Sequence, residues 1–215
     1  MWKLDKSRVQ TTRSIELENP VFIDLTSSKR SPVHVVGQAL IERVRAEKIA
    51  ELYSPYFPDY VDSNESGICS IPRLEFYASK HVLPNVLLLV GELQADNDDV
   101  YANYDIAKAA LDYGVLNGCK TFLSCSVFRS QRAVERIYVA AGSAQEASVL
   151  AEKLGDKPFP FGRIFGQTGP LIGMAKIEGF RVVSILGSIK GDSEDADLPD
   201  ILLDRLLRAV DLSLV

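Results

Sequence analysis

The sequence predicts an α/β fold in three layers, with a mainly parallel central sheet and helices on both of its faces. Two observations carry this prediction: short apolar runs of strand length, and helical patterns that separate them along the chain. The 215 residues are 47% hydrophobic and 25% charged, which is typical of globular chains that build a core without disulfides. We therefore expect residues 1–215 to form one domain.

Four apolar runs are predicted to be the central strands. They lack the polar alternation of a half-exposed strand, and proline, glycine or charged residues bound them. This pattern is typical of parallel strands that are buried on both faces. The four runs are residues 21–25, Val86–Gly91, residues 121–125 and residues 182–187.

Helical spacing of apolar residues separates the runs. Ser143 and Glu146 form a capping box that opens a helix ending at Gly155, and Asp197 and Pro199 open the last helix. Two further helices are predicted to turn these apolar residues toward the sheet: Val33, Val36, Leu40, Ile41 and Val44 in one, and Tyr101, Tyr104, Ala107 and Leu111 in the other.

Residues 49–77 carry a different pattern. Short β-like pieces at residues 49–53, 68–71 and 74–77 are separated by prolines and a glycine, which favours antiparallel extensions of the sheet or a protruding hairpin. Four aromatic residues crowd this segment and cannot all be core, so a protein interface is predicted there. They are Tyr53, Tyr56, Phe57 and Tyr60.

Charge and hydropathy argue against several classes of protein. With 24 basic and 29 acidic side chains the formal net charge is -5, so attraction to nucleic acid is not expected. The longest apolar run, Val86–Gly91, is far shorter than the roughly 20 residues of a membrane-spanning helix. The first residues lack the apolar stretch of a signal peptide, and the three cysteines form no CxxC pair, so we expect a cytoplasmic protein.

Motifs for metal binding or covalent catalysis are not found in the sequence. His34 and His81 stand in no metal-ligand spacing. The acidic run at residues 96–99 lacks the glycine and the glutamate of a calcium loop, and there is no nucleophile-elbow motif. We therefore expect no metal, no cofactor and no catalytic residue.

A polar pocket is predicted at the carboxyl end of the strand Val86–Gly91, because open α/β sheets bind ligands at that edge. The glycine-rich residues 162–173 allow two interpretations. Gly166 and Gly169 permit a tight turn and Gly173 permits close packing of a helix on the sheet, or the segment leads to a helix N-terminus that binds an anion. The candidate pocket residues are Glu92, Gln94, Tyr101, Tyr104, Gly166, Gln167, Thr168 and Gly169.

Five segments, taken together and in order, carry a family pattern that spans residues 15–210 approximately. They are residues 19–23 (NPVFI), 46–58 (AEKIAELYSPYFP), 67–77 (GICSIPRLEFY), 87–94 (LLLVGELQ) and 166–175 (GQTGPLIGMA). The chain resembles the PAC2 family, the proteasome assembly chaperone family, in its archaeal branch.

The resemblance implies a phosphorylase/hydrolase-like sandwich, similar to that of purine nucleoside phosphorylases. It also implies a non-catalytic role, with proteasome α subunits as partners and homo-oligomers as the assembled form. Some members dock through a C-terminal hydrophobic-tyrosine-any tripeptide; Leu214 stands at the tyrosine position here, so we expect no tyrosine-dependent docking. The alternative is an enzyme or a small-ligand-binding protein that uses a nucleoside-phosphorylase-like crevice, because one scaffold hosts many functions.

Overall fold

The computed structural model describes residues 5–27, 31–63, 65–92, 99–129, 135–160, 162–189 and 196–214. The strands in these ranges are β1 (Arg8–Thr11), β2 (Val21–Thr26), β3 (Glu47–Tyr53), β4 (Asp62–Ser63), β5 (Cys69–Ser70), β6 (Leu74–Ser79), β7 (Val82–Leu83), β8 (Val86–Gly91), β9 (Thr121–Arg129), β10 (Ile137–Ala141), β11 (Lys157–Pro158), β12 (Arg181–Ile189) and β13 (Ser213–Leu214). The helices are α1 (Pro32–Arg43), α2 (Val100–Leu116), α3 (Ala144–Leu154), α4 (Thr168–Ile177) and α5 (Leu198–Ala209).

Nine strands form one mixed sheet in the order β1-β3-β6-β8-β2-β9-β12-β10-β11. The four strands at its centre, β8, β2, β9 and β12, are parallel to one another. They are the four apolar runs of the sequence, so that prediction is confirmed. β9 and β12 are longer than predicted, because both continue past the apolar run through serines and half-buried residues.

Antiparallel strands flank the parallel centre on both sides. β6 pairs with β8, β3 with β6 and β1 with β3 on one side, and β10 pairs with β12 on the other. β4 and β5 form a separate short hairpin within the connection from β3 to β6. The antiparallel interpretation of residues 49–77 is therefore confirmed, whereas β1 and β10 were not predicted.

Helices cover both faces of the sheet and complete the three layers. α1, α3 and α5 pack on one face, where they share a core cluster with Ile23, Leu88 and Ile185. α2 and α4 pack on the other face, with Phe22, Phe76 and other core residues. Ser143 caps α3 as predicted, since its hydroxyl accepts from the Glu146 N–H group, and the left-handed Gly155 ends the helix. The Glu146 carboxylate, which would complete a capping box, lies 2.6 Å from Arg181.

The face that carries α2 and α4 has an aromatic centre. The rings of Phe22 and Phe122 meet edge to face with centroids 5.3 Å apart, and those of Phe76 and Tyr113 lie 4.6 Å apart. Gly114 lets α2 approach these rings, because a β-carbon there would lie 2.7 Å from the Phe22 ring. Glycine lowers the stability of a helix, but this close packing is one reason that α2 continues past Gly114.

The inward face of α2 differs from the prediction. Tyr101 is 84% exposed and Tyr104 is 52% exposed, so the expectation that both face the sheet is wrong. Ala107 and Leu111 are buried as predicted, and the rest of the buried face is Ala102, Asn103, Ile106, Ala110, Tyr113 and Gly114. Small side chains at Ala102, Ala107 and Ala110 let the helix lie close to the sheet, and Tyr101 and Tyr104 are left outside.

In the ranges that the structure describes, the helices are either too short or too polar to cross a bilayer.

Candidate functional site

The carboxyl ends of the parallel strands form the edge at which α/β sheets bind ligands. β2 and β8 are neighbours in the sheet, but α1 follows β2 on one face and α2 follows β8 on the other. Connections that leave adjacent strands in opposite directions open a crevice between them. The two connections include residues 28–30 and 93–98, which lie outside the described residues.

A fully buried carboxylate, that of Asp24, lies near the end of β2. Its Oδ1 atom accepts from the Thr26 N–H group at 3.0 Å and from the Thr26 hydroxyl at 2.7 Å, and its Oδ2 atom accepts from the Thr168 hydroxyl at 3.0 Å. Burial raises the pKa of Asp24, and the hydrogen bonds from Thr26 and Thr168 oppose that rise. The contact joins β2 to the first residue of α4.

Sequence reasoning missed Asp24 because the residue lies inside an apolar run. A signal was present, however, since a lone charged residue in a strand that is buried on both faces requires dedicated partners. Thr168 is 144 positions away in the chain, so the pairing itself depends on the topology of the sheet.

The glycine-rich turn before α4 is a tight turn, as one interpretation of the sequence predicted. Gly166 has a φ of 73°, which L side chains rarely adopt. A β-carbon at Gly169 would lie 2.5 Å from the carbonyl oxygen of Ile164. Gly173 does not permit close packing as expected, because a β-carbon there would meet nothing within 4 Å and the residue is exposed.

Gln167 lies at the N-cap position of α4 and is completely buried. Its side chain makes no capping hydrogen bond, and neither its amide nitrogen nor its amide oxygen has a partner in the structure as described. An unsatisfied buried amide costs about 1–3 kcal/mol.

The predicted pocket residues separate into groups on different faces of the molecule. Tyr104 and Gly169 line one apolar groove of about 580 Å³ beside α4, together with Pro170 and Ile177. Tyr101 extends outward from the first turn of α2. Gln94, the remaining member of the predicted set on this edge, lies outside the described residues.

Glu92 lies on the α1 side of the sheet. Its Oε1 atom is 3.5 Å from Nδ1 of His34, which belongs to the first turn of α1, and each side chain is about one-third exposed. Glu92 also lines a polar groove of about 360 Å³ with Tyr60, Arg73 and Glu75. The structure thus brings Glu92 to a predicted interface residue, Tyr60, and not to the tyrosines of α2.

Beside this groove, β3 and β6 carry a network of charged side chains. Arg73 lies 2.9 Å from Glu51 and 3.0 Å from Glu75, and Lys48 lies 3.0 and 3.2 Å from the same two carboxylates. The Tyr53 hydroxyl donates to Glu51 at 2.6 Å. Partial burial and this hydrogen bond raise the pKa of Tyr53 to about 12. The network holds Tyr53, a predicted interface residue, against its own sheet.

The other predicted interface residues have different surroundings. Phe57 is 8% exposed and belongs to the core cluster under α2 and α4, so it stabilises the fold. Tyr56 and Tyr60 are 37% and 38% exposed. Only these two of the four aromatic residues present a large part of their surface to a partner.

Comparison with known proteins identifies the family. The family model described as the PAC2 family matches residues 33–215. The chain belongs to the PAC2 family. An uncharacterized protein of Methanocaldococcus jannaschii is 22% identical over 196 residues, which is 89% of this chain and 74% of that protein.

Two solved structures of proteins from Pyrococcus furiosus share the fold. PbaB, an archaeal proteasome activator, matches with a TM-score of 0.86 and 21% identity, over 98% of this chain and 91% of that one. PbaA, an archaeal homolog of proteasome-assembly chaperone, matches with a TM-score of 0.74 and 21% identity, over 96% and 88% of the two chains. The three-layer α/β fold predicted from the sequence is therefore confirmed.

In this PAC2 chain the last described residues are paired with the body of the molecule. β13 is antiparallel to β7, with Ser213 opposite Leu83 and Leu214 opposite Val82. The Lys153 ammonium also lies 2.6 Å from the Asp211 carboxylate. The backbone at Leu214 is thus hydrogen-bonded within the molecule.

Among the described residues, no group of three or more histidine, cysteine, aspartate or glutamate side chains could hold a metal ion. The carboxylates at the ends of β2 and β8 both contact neighbouring side chains of the chain itself. Asp24 accepts hydrogen bonds from two threonines, and Glu92 lies beside His34.

Proposed function

We propose that this PAC2 protein is a non-catalytic assembly factor that forms homo-oligomers and binds protein partners, proteasome α subunits among them. The names of similar proteins support the choice of partner, since PbaB is an archaeal proteasome activator and PbaA a homolog of proteasome-assembly chaperone. The cytoplasm is the compartment that suits this role.

One structural observation carries the proposal: the connection from β3 to β6, residues 54–73, exposes large apolar side chains. We call this segment the β3–β6 extension. Val61 is 57% exposed and Ile68 is 64% exposed, and Tyr56, Tyr60 and Ile71 are each exposed by more than one-third. Clustered exposed apolar side chains with aromatic residues among them are typical of protein interfaces.

The charges around the extension suit a protein partner as well. Asp62, Arg73, Glu75 and Glu92 line the groove at its base together with Tyr60, so acidic groups outnumber basic ones there. An apolar surface beside an acidic groove is complementary to a partner segment with apolar and basic side chains.

Binding to purified proteasome α subunits tests the proposal. We expect the full chain to bind them at micromolar concentration, and the Val61→Ser/Ile68→Ser variant to bind at least about tenfold more weakly, because exposed apolar anchors contribute most of the binding energy. Val149→Ser is the matched control, since Val149 is 62% exposed on α3 at a distance from the extension in the fold. Equal affinity of the double variant and the control would contradict the role of the extension.

Light scattering tests the oligomer. The wild-type chain is expected to have a mass that is a multiple of 23.7 kDa at micromolar concentration. A monomer mass across the accessible range would contradict self-association, and failure to bind α subunits would contradict the proposed partner.

A further inference from the structure

A second exposed apolar surface lies along α2 and α4. Tyr104 is 52% exposed and Leu116 is 78% exposed, near the two ends of α2. Six of the fifteen exposed large apolar side chains in the described residues belong to these two helices: Val100, Tyr101, Tyr104, Val115, Leu116 and Ile177. Apolar surfaces of this kind mark interaction sites on folded proteins.

The exposed side chains along α2 are complementary to the same side chains of an antiparallel copy of the helix. Tyr104, Lys108, Asp112 and Leu116 follow one another at intervals of four residues, which places them on one ridge of the helix. Lys108 and Asp112 are 2.7 Å apart and are both more than 60% exposed. The order along the ridge is therefore apolar, basic, acidic, apolar.

A two-fold axis on the outer face of α2, at the height of the buried Ala110, relates the four side chains to one another. Residue 110 is midway between residues 104 and 116 and also midway between residues 108 and 112. Since an α-helix rises about 1.5 Å per residue, an antiparallel copy centred there brings Lys108 opposite Asp112 and Tyr104 opposite Leu116, twice each. An isologous contact requires such a self-complementary surface.

The groove beside α4 provides space for the apolar part of this contact. It has a volume of about 580 Å³ and is lined by Tyr104, Pro170, Gly173 and Ile177, among others. Leu116 of an antiparallel copy reaches the surface next to Tyr104, at the edge of this groove. The Lys108 and Asp112 charges cancel, so the ridge has no net charge that would favour a strongly acidic or basic client.

We propose that α2 makes an antiparallel, two-fold contact with α2 of a second copy of this chain. The inference rests on the proposed self-association and names one surface that produces it. The β3–β6 extension, on a different part of the sheet, then stays available for other protein partners.

Sedimentation equilibrium of the full chain tests the contact through a charge swap. Lys108→Glu is expected to raise the dissociation constant of the self-association at least about tenfold, because both symmetry-related attractions become repulsions. The double variant Lys108→Asp/Asp112→Lys is expected to return it to within about twofold of the wild type, because each charge again faces its opposite. Raised salt is expected to reduce the difference between Lys108→Glu and the wild type.

An apolar pair of variants provides an independent measurement. Leu116→Ser is expected to weaken self-association about tenfold or more, whereas Val149→Ser, which removes an exposed apolar side chain from α3, is expected to leave it unchanged. Urea unfolding of each variant shows that the fold is retained, since all the substituted side chains are exposed.

The outcomes separate this inference from the proposed function. If the wild type self-associates and neither Lys108→Glu nor Leu116→Ser changes its dissociation constant, the α2 contact is wrong and self-association stands. The same holds if the charge-swapped double variant is as weak as Lys108→Glu. If the wild type is monomeric, both self-association and the α2 contact are wrong, while α-subunit binding is judged by its own assay.

Discussion

Replacement of Asp24 by asparagine is expected to change how stability depends on pH. The asparagine side chain can keep the three hydrogen bonds of the native carboxylate: its oxygen accepts both bonds from Thr26, and its nitrogen donates to the Thr168 hydroxyl, which can also act as an acceptor. The substitution therefore removes the buried charge and leaves the local geometry intact. Only the proton chemistry of the site differs between the two proteins.

The direction in which stability changes with pH follows from the raised pKa of Asp24 in the folded state. The ordinary value for an aspartate is 3.8, so between pH 3.8 and the higher native value the folded protein keeps a proton that the unfolded chain has released. The free energy of unfolding of the wild type then falls as pH rises, by about 1.4 kcal/mol for each pH unit in that interval. Asp24→Asn lacks this titration.

Urea unfolding at a series of pH values measures the effect. Near pH 3.8 and below, the variant and the wild type should be of similar stability, because both side chains are neutral. As pH rises, the variant should become progressively more stable than the wild type by about 1.4 kcal/mol per pH unit, until the difference levels off at the native pKa. The levelling point therefore reports that pKa directly.

Asp24→Ala is the companion variant. It also lacks the titrating group, but it leaves the Thr26 N–H, the Thr26 hydroxyl and the Thr168 hydroxyl without their acceptor. At about 1 kcal/mol for each bond, it should be about 3 kcal/mol less stable than Asp24→Asn at every pH. A difference between wild type and Asp24→Asn that is flat in pH would show that the native pKa of Asp24 is not shifted, and one that favours the wild type as pH rises would show that it is lowered; either result would refute the reasoning.

Three further perturbations test the turn before α4 and the thiols. Gly169→Ala should destabilise the fold by about 1–3 kcal/mol in urea unfolding, because its β-carbon would lie 2.5 Å from a backbone carbonyl oxygen. Gly173→Ala is the control: it has open space around it and should be neutral or stabilising by up to about 1 kcal/mol. Gln167→Met should raise the free energy of unfolding by about 1 kcal/mol, since it removes an unsatisfied buried amide; a loss of stability would show that the amide has a partner. A thiol reagent should modify one cysteine rapidly, the exposed Cys69, because burial raises the pKa of Cys119 to about 12 and both other thiols are buried.

The centre of the sheet could be predicted because its signal is local and strong. A parallel strand buried on both faces needs an uninterrupted apolar run, and β8 (Val86–Gly91) shows one with the predicted bounds. The edge strands could not be predicted in the same way. β1 (Arg8–Thr11) has two half-buried and two exposed residues, so its pairing with β3 is not visible as a hydrophobic pattern.

The two-residue period of a strand could have predicted which of the pocket residues lie on the same face of the sheet. Leu88 and Val90 belong to the core under α1, and Leu87 and Leu89 to the core under α2. Continuing this alternation through Gly91 places Glu92 on the α1 side. Its placement beside His34, away from Tyr101 and Tyr104, follows from that alternation and from the face on which each helix packs.

The tyrosines of α2 show why interaction surfaces are harder to predict than cores. In the sequence, Tyr101, Tyr104, Ala107 and Leu111 have the spacing of an inward face, and the larger residues are the expected core. Ala107 and Leu111 are buried as predicted, but the two tyrosines are not. Phe22, Phe76 and Phe122 already fill much of the space beneath α2, and the small side chains of Ala102, Ala107 and Ala110 let the helix pack close above them. Large apolar side chains on the outer face are then not required by the fold. Covering their apolar area with another surface is favourable by about 25 cal/mol for each Å² removed from water, and this is the physical ground for expecting a second protein chain on α2.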